Sequence, residues 1–301
     1  MPYFMNKKIV FECLRLIPKG KVVSYKQLAQ SLGIGSARLV SYYLRQNQSA
    51  DRFIYPCFKV VRSDGSLADG YLFGGKLKQK QYLQQDGVVF YKDKVVDSCF
   101  YEFNSVLKSY FCLLIKYGFP GPWPWFGKAE YNFEEIIISS VLTQNTSWPN
   151  VEKSVVNLRL KGICSLAGIL ESSESVLLNC IKPSGFYTRK AQTLKSLALL
   201  IHNFKRNYFQ KNSIEKVRQK LLTIYGIGQE TADTVLLYAF DRLIFPIDAY
   251  TRKFVGSYLS LVSLSSNSYL NLQSFFQQHL PRDLEVYKNM HALITAWGKD
   301  N

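Results

Sequence analysis

The stretch Leu222–Asp248 constrains the fold more than any other part of the chain. It reads Leu222-Thr-Ile-Tyr-Gly226-Ile-Gly228-Gln-Glu230-Thr-Ala-Asp, continues as an apolar helical run and ends in Phe-Pro-Ile-Asp248-Ala-Tyr. A helix that stops at a turn with two glycines and restarts at once is a helical hairpin. Glycine takes φ > 0 without steric cost and lets a second backbone approach. The amides around Gly226 and Gly228 then lie at a helix N-terminus, where a phosphate binds without sequence preference. Twenty residues past Gly228 comes Asp248, just after a proline, as a lone acid delivered to a cleft would be.

The 301 residues allow about two domains, each able to bury its own core. A net charge of +16 makes a polyanion the expected partner. The charge is uneven: residues 1–94 hold 16 Lys+Arg against 6 Asp+Glu, the rest 22 against 16. Six cysteines, at 13, 57, 99, 112, 164 and 180, show no metal-ligand spacing and are expected to be reduced, mostly buried thiols. Neither a signal peptide nor a run of about 18 apolar residues is evident, so an intracellular, DNA-associated protein with no membrane partner is expected.

In the first part, residues 6–17 carry apolar side chains at helical spacing. Ser24 is placed to cap a helix over 25–32 and Ser36 another over 37–46, two short helices around a glycine turn. Ile54–Val61, a turn at Ser63-Asp64-Gly65 and a helix over 76–85 follow, and polar Tyr91–Ser98 reads as a linker. From Phe100 onward the pattern is helical almost throughout: 100–116, 132–143, 151–160, 174–181, 188–204, 214–223, 230–240, 249–260, 269–278 and 284–296.

With these motifs in place, the part from about Phe100 onward resembles the endonuclease III superfamily of DNA glycosylases. The two-glycine hairpin with Asp248, the run Val141-Leu-Thr-Gln144-Asn-Thr and the run Pro183-Ser-Gly-Phe-Tyr-Thr-Arg-Lys-Ala carry the resemblance. Trp123-Pro-Trp125 followed by Phe133-Glu-Glu-Ile looks most like the branch that removes 3-methyladenine. The resemblance implies Asp248 as the catalytic carboxylate, set against a cation developing on the sugar; an N-cap is the alternative reading, and the two are compatible. It implies Gly226 and Gly228 as DNA-binding, and Gln144 as filler of the gap left by a flipped base, against a helix-end amide that serves the backbone. Trp123, Trp125 and Phe133, with Tyr131 behind them, are candidates to stack on that base, against plain core.

Two departures stand out. Where bifunctional relatives carry an attacking lysine, this chain has Glu230, which cannot form a Schiff base, so water is expected to be the nucleophile. Lys253 is a weaker substitute amine, better explained as a solvated helix face. His291 to Asn301 resembles the segment that leads into iron–sulfur ligands, but no cysteine follows Cys180, so no cofactor is expected and His291 reads as a packed residue.

Residues 9–90 resemble the active-site domain of O6-alkylguanine-DNA alkyltransferases and the alkyltransferase-like proteins. Ile17-Pro-Lys-Gly-Lys-Val-Val-Ser-Tyr25, Ala37-Arg38, Arg45-Gln-Asn47, Pro56-Cys57-Phe58-Lys59-Val-Val-Arg62, Tyr71 and Gly74-Gly75 carry it, in family order. It implies Arg38 in the place of the flipped nucleotide, Tyr25 helping to rotate it, Asn47 as a hinge, Tyr71 in the base pocket and Cys57 as alkyl acceptor. The family's histidine position is Phe58 and its glutamate position Asp86, so the relay that makes the thiolate is broken, unless Lys59 and a helix N-terminus lower the thiol's pKa.

The expectation is a mostly α protein. A small α+β helix-turn-helix (winged-helix-like) domain over 1–93 precedes an all-α helix-hairpin-helix glycosylase fold over 99–301. It is expected to be a monomer on double-stranded DNA with damaged bases, excising an alkylated purine while the first module binds or flips the lesion. Linking the modules raises the effective concentration of each at a lesion the other holds. Two rivals stay open: a cysteine methyltransferase with a degenerate glycosylase tail, and a non-enzymatic damage-recognition protein.

Overall fold

The computed structural model describes residues 3–49, 51–120, 125 and 131–301. The chain divides into two compact units, 1–119 and 120–301.

In the first unit, α1 (Tyr3–Arg15) packs on α5 (Ser105–Tyr117). The packing boundary therefore lies later than the 93/99 division read from the sequence. Ser24 caps α2 (Tyr25–Ser31) with a full capping box through Gln27, and the Ser36 hydroxyl accepts from Leu39 N to start α3 (Ala37–Leu44), as expected. Two-residue strands β1 (Val23–Ser24) and β2 (Val60–Val61) pair in parallel, and α4 (Gly75–Gln85) covers the turn that carries Cys57. Ile54–Val61 is thus a turn, a 3₁₀ turn over Cys57–Lys59 and β2.

Tyr91–Ser98 is not a linker. It belongs to a hairpin of β3 (Phe90–Tyr91) and β4 (Lys94–Val95), turned by Lys92 and Asp93, both at positive φ. Val95 is buried in one cluster with Val22, Phe58, Leu67 and Leu83. The polar residues that suggested a linker are the exposed turn at Lys92-Asp93, the outward Lys94 and a 3₁₀ turn at Asp97-Ser98.

The second unit is helical throughout its described residues. It comprises α6 (Phe133–Leu142), α7 (Trp148–Leu160), α8 (Leu166–Glu171), α9 (Glu174–Ile181), α10 (Tyr187–Lys211), α11 (Ile214–Leu222), α12 (Gln229–Tyr238), α13 (Ala249–Lys253), α14 (Val262–Ser265), α15 (Tyr269–His279) and α16 (Leu284–Asp300). A break at Lys205 interrupts α10, and α8 and α14 are short helices the spacing did not reveal. Asn132 opens α6 with a capping box to Glu135, whose carboxylate also holds Arg159 of α7. Both α6 and α12 are buried along nearly their whole length, so they form the centre on which α10, α11 and α16 pack.

Candidate functional site

The hairpin joins α11 to α12. Gly226 sits at φ +89°, and a Cβ there would collide with Thr193 Oγ1 on α10. That hydroxyl donates to Tyr225 O at 3.0 Å, so the turn is clamped onto α10. Gly228 differs: it is extended (φ −91°, ψ 179°), caps α12 without a side chain, and a Cβ there would meet nothing within 4 Å. The first N–H groups of α12 are left to an acceptor from outside the helix, the geometry that binds phosphate.

Beyond α12 the chain returns through Phe245–Ile247 to Asp248. A buried network fixes this segment. Arg218 forks onto Asp233 at 2.6 and 3.1 Å, and Asp233 also accepts from Tyr269 Oη (2.8 Å) and Gln273 Nε2 (2.7 Å). Tyr269 Oη in turn accepts from Ile247 N, and Gln273 donates to Phe245 O. Asp248 caps α13, its Oδ1 accepting from Thr251 N (2.6 Å) and Oγ1 (2.7 Å). His291 Nε2 lies 3.6 Å from its Oδ2, too far for a hydrogen bond. Burial lowers the pKa of His291, so the imidazole is neutral at pH 7.

Asp248 stands on a wall between two spaces. One is an open cleft of about 640 Å³ bordered by Gly226, Gly228, Phe186, Arg189 and Arg252. The other is a cavity of about 520 Å³ bordered by Trp125, Trp148, Tyr250 and His291. Thr143, Gln144, Glu230, Thr231 and Asp248 line both. A nucleotide whose sugar sits at this wall would have its phosphate at the hairpin and its base among the aromatics.

Trp125 is buried, its Nε1 donating to Ser139 Oγ at 2.8 Å and its ring against Trp148 and Tyr238. Trp148 and Tyr250 line the cavity without having been expected; the spacing of an N1 helix residue and a residue after a cap carries no signal of a pocket. Phe133 does not line either space. Its ring lies between Phe240 and the Arg206 guanidinium, where it closes the core behind α6. Tyr131 is also withdrawn, stacked near Trp148 and Arg159. Trp123 lies outside the described residues. Gln144 donates to Gly226 O and Thr231 Oγ1, both at 2.9 Å, so in this state it serves the hairpin and would have to release both bonds to fill a base stack.

Glu230, in the first turn of α12, is exposed to the cleft, yet crowding by the surrounding protein and the charge of Asp248 lift its carboxyl to about 7. Lys190 is buried, donates to Leu142 O and Ser184 O, and is lowered to about 8 by desolvation. Lys253 is exposed and lines neither space. Phe186, at φ +46° and two-thirds exposed, offers its ring to the cleft, which spacing alone did not flag.

In the first unit Cys57 is buried, with Asn47 Nδ2 at 3.5 Å from its sulfur. The Tyr71 hydroxyl, buried and without a well-formed hydrogen bond, lies beside the same sulfur. Burial raises the Cys57 pKa, with Asn47, Tyr71 and Arg52 opposing it only in part. Lys59 does not help: its Nζ is tied to Asp86 (2.9 Å) and to the carbonyls of Ile17 and Pro18, so the expected activation of the thiol from that side is absent. Phe58 is fully buried against Phe53 and Tyr82. Tyr25, half-buried, lies near Cys57, and Arg38 is exposed on α3.

Residues 6–88 match the DNA-binding domain of 6-O-methylguanine DNA methyltransferase, and residues 138–274 match the HhH-GPD superfamily of base excision DNA repair proteins. A Methanocaldococcus jannaschii protein described as a candidate DNA repair glycosylase is 39% identical over 202 residues, 66% of this chain and 89% of that relative. A bifunctional methyltransferase/endonuclease of Picrophilus torridus is 36% identical over 102 residues, 34% of this chain and 33% of its own length. Among solved structures, the H. pylori 3-methyladenine DNA glycosylase bound to 1,N6-ethenoadenine is similar at a TM-score of 0.52 and 27% identity, covering 64% of this chain and 94% of that one.

Proposed function

We propose, for a chain that belongs to the HhH-GPD superfamily of base excision DNA repair proteins, that its second unit excises damaged purines from duplex DNA with water as nucleophile. One observation carries the reading: a carboxylate, Asp248, on the wall between a hairpin-fronted cleft and an aromatic-lined cavity. The hairpin amides hold the phosphate, Phe186 presents its ring to the opened duplex, and the extruded base enters beside Trp125 and Trp148. As the C1′–N bond stretches, positive charge grows on the sugar. Asp248 offers a fixed negative charge there. Its lack of a strong hydrogen bond at Oδ2 leaves that oxygen free to orient the attacking water.

Among the described residues, no lysine takes the hairpin position of the attacking amine. Glu230 occupies the place of an attacking amine, and Lys190 is held by two carbonyls. The reaction therefore ends at an abasic site without strand cleavage. The likeness to the 3-methyladenine glycosylase supports alkylated purines as substrates.

In the first unit, burial keeps Cys57 a thiol, while exposed Arg38 and half-buried Tyr25 are placed to grip and turn a nucleotide. Its role is to bind and flip lesions, with no efficient alkyl transfer. The protein works on double-stranded DNA as a monomer.

The test is release of free base from duplexes bearing 3-methyladenine, hypoxanthine, uracil or a mismatch, by wild type and Asp248→Asn. Release by the wild type alone supports the reading. No release from any duplex overturns it, and a borohydride-trapped covalent adduct overturns the choice of water.

A further inference from the structure

We propose that Glu230 is the acid of the excision reaction, donating its carboxyl proton to the leaving base, and that the substrates therefore include uncharged purine lesions beside cationic alkylated ones. This rests on the glycosylase reading above. Among the described residues, five line both the phosphate-side cleft and the base-side cavity, and of these Glu230 and Asp248 are ionisable. A nucleotide at that wall meets two carboxyl groups, and two anions there would repel each other. The lower-cost state has one charged and one protonated, which gives the pair different roles.

Thr251 donates two hydrogen bonds to Asp248 Oδ1, an arrangement that suits a carboxylate acceptor. Glu230 takes the proton: its crowded position and the Asp248 charge lift it to about 7, among the values suited to proton transfer at neutral pH. Among the described residues, the other titratable groups are His291, Lys299 and Tyr250 on the base side and Arg189, Lys190, Arg252 and Tyr269 along the cleft. His291 is neutral. The cations and the α12 N-terminus oppose protonation, but a DNA phosphate bound at those same cations and amides neutralises them and adds negative charge beside Glu230.

The chemistry follows from where the bonding electrons go. When C1′–N breaks, both electrons stay with the base. A cationic alkylpurine departs neutral and needs no acid. A neutral purine such as hypoxanthine would depart as an anion unless a ring nitrogen gains a proton. Glu230 supplies that proton and becomes a carboxylate. Water then bonds to C1′, and the proton it loses restores the acid, so base, abasic sugar and protein balance.

The experiment compares wild type, Glu230→Gln and Glu230→Asp in single turnover on duplexes with hypoxanthine and with 7-methylguanine, from pH 5.5 to 9. The wild type is expected to excise hypoxanthine, with the rate falling about tenfold per pH unit above the Glu230 titration. Glu230→Gln should lose about 10²-fold or more on hypoxanthine, with a flat pH profile, while 7-methylguanine release changes little; Glu230→Asp should recover part of the loss. Equal effects of Glu230→Gln on both lesions, or an unchanged hypoxanthine profile, would overturn the assignment. Release of 7-methylguanine but not hypoxanthine by the wild type would overturn it while leaving the glycosylase reading intact. No release of either overturns both.

Discussion

His291 holds its Nε2 3.6 Å from Asp248 Oδ2, while its Nδ1 meets the Tyr238 hydroxyl at 2.9 Å. The ring is neutral, because burial lowers its pKa more than Asp248 raises it. His291 therefore sets no positive charge against the Asp248 carboxylate, which suits a partner for a sugar cation. Asp248→Asn retains an oxygen for Thr251, and Asn caps helices as well as Asp does. The melting temperature is expected to stay within about 2–4 °C of wild type. Base release should fall at least about 10²-fold. A normally folded variant with wild-type release would remove Asp248 from the chemistry.

The two hairpin glycines should fail differently. Gly226→Ala places a Cβ at φ +89° against Thr193, at a cost of about 1–2 kcal/mol from the backbone alone. Thermal melting should show that loss. Gly228→Ala meets no protein atom and should melt like wild type. Its methyl group projects where a phosphate approaches, so duplex affinity at low salt should drop about tenfold or more, with a shallower salt dependence. Equal stability loss in both variants would contradict this division.

The hairpin and Asp248 were legible because one local pattern, glycine turn then helix then acid, encodes both. The walls of the cavity were not. Trp148 reaches it from α7, remote in sequence and held by packing on α6, while Tyr250 follows Asp248 closely in the chain and only the packing of α13 on α16 decides which wall its ring joins. Phe133 carried the same aromatic signal as Trp125 and went to the core instead, because the helix it opens turns it towards Phe240. Lys59 looked like an activator from its distance along the chain to Cys57. Its partner, Asp86, arrives from the end of α4, which spacing alone does not place. Short paired strands such as β3 and β4 are illegible for a different reason: two residues are too few to show alternation.

The Cys57 thiol is expected to be unreactive at neutral pH. Burial raises its pKa, so only a small thiolate fraction exists at pH 7.5. Methyl transfer from O6-methylguanine DNA to Cys57 should be undetectable within an hour. Iodoacetamide labelling of Cys57, read by peptide mass, should rise only above the pH at which an ordinary cysteine ionises. Lys59→Met leaves Asp86 buried without its cation and should cost about 3–5 kcal/mol, with no gain in labelling below that pH. Fast labelling at pH 7 would show the thiol activated by a group other than Lys59.

Tyr269 joins Ile247 N to the buried Asp233 through one hydroxyl. Tyr269→Phe leaves the Ile247 amide without that acceptor and removes a donor from Asp233. The loss should be about 1–3 kcal/mol, seen as an earlier urea midpoint at unchanged slope. Because Ile247 directly precedes Asp248, base release should slow more than DNA binding weakens. An unchanged release rate would mean that the α13 cap alone fixes the carboxylate.

Glu230 also sets a pH dependence of stability. Its carboxyl titrates at about 7 in the folded chain against about 4.3 when unfolded, so between those values the folded state binds the extra proton. Stability contributed by this group is therefore full near pH 4 and lost as pH rises through 7. Glu230→Gln removes the ionisable group and should raise the melting temperature at pH 8 but not at pH 4.5. The open cleft screens the charge, so the gain at pH 8 is expected to be only on the order of 1 kcal/mol. The sign is the discriminating readout: a variant less stable than wild type at pH 8 would mean that Glu230 is held as an anion by the α12 N-terminus, and that the carboxyl pair at the wall shares its charge differently.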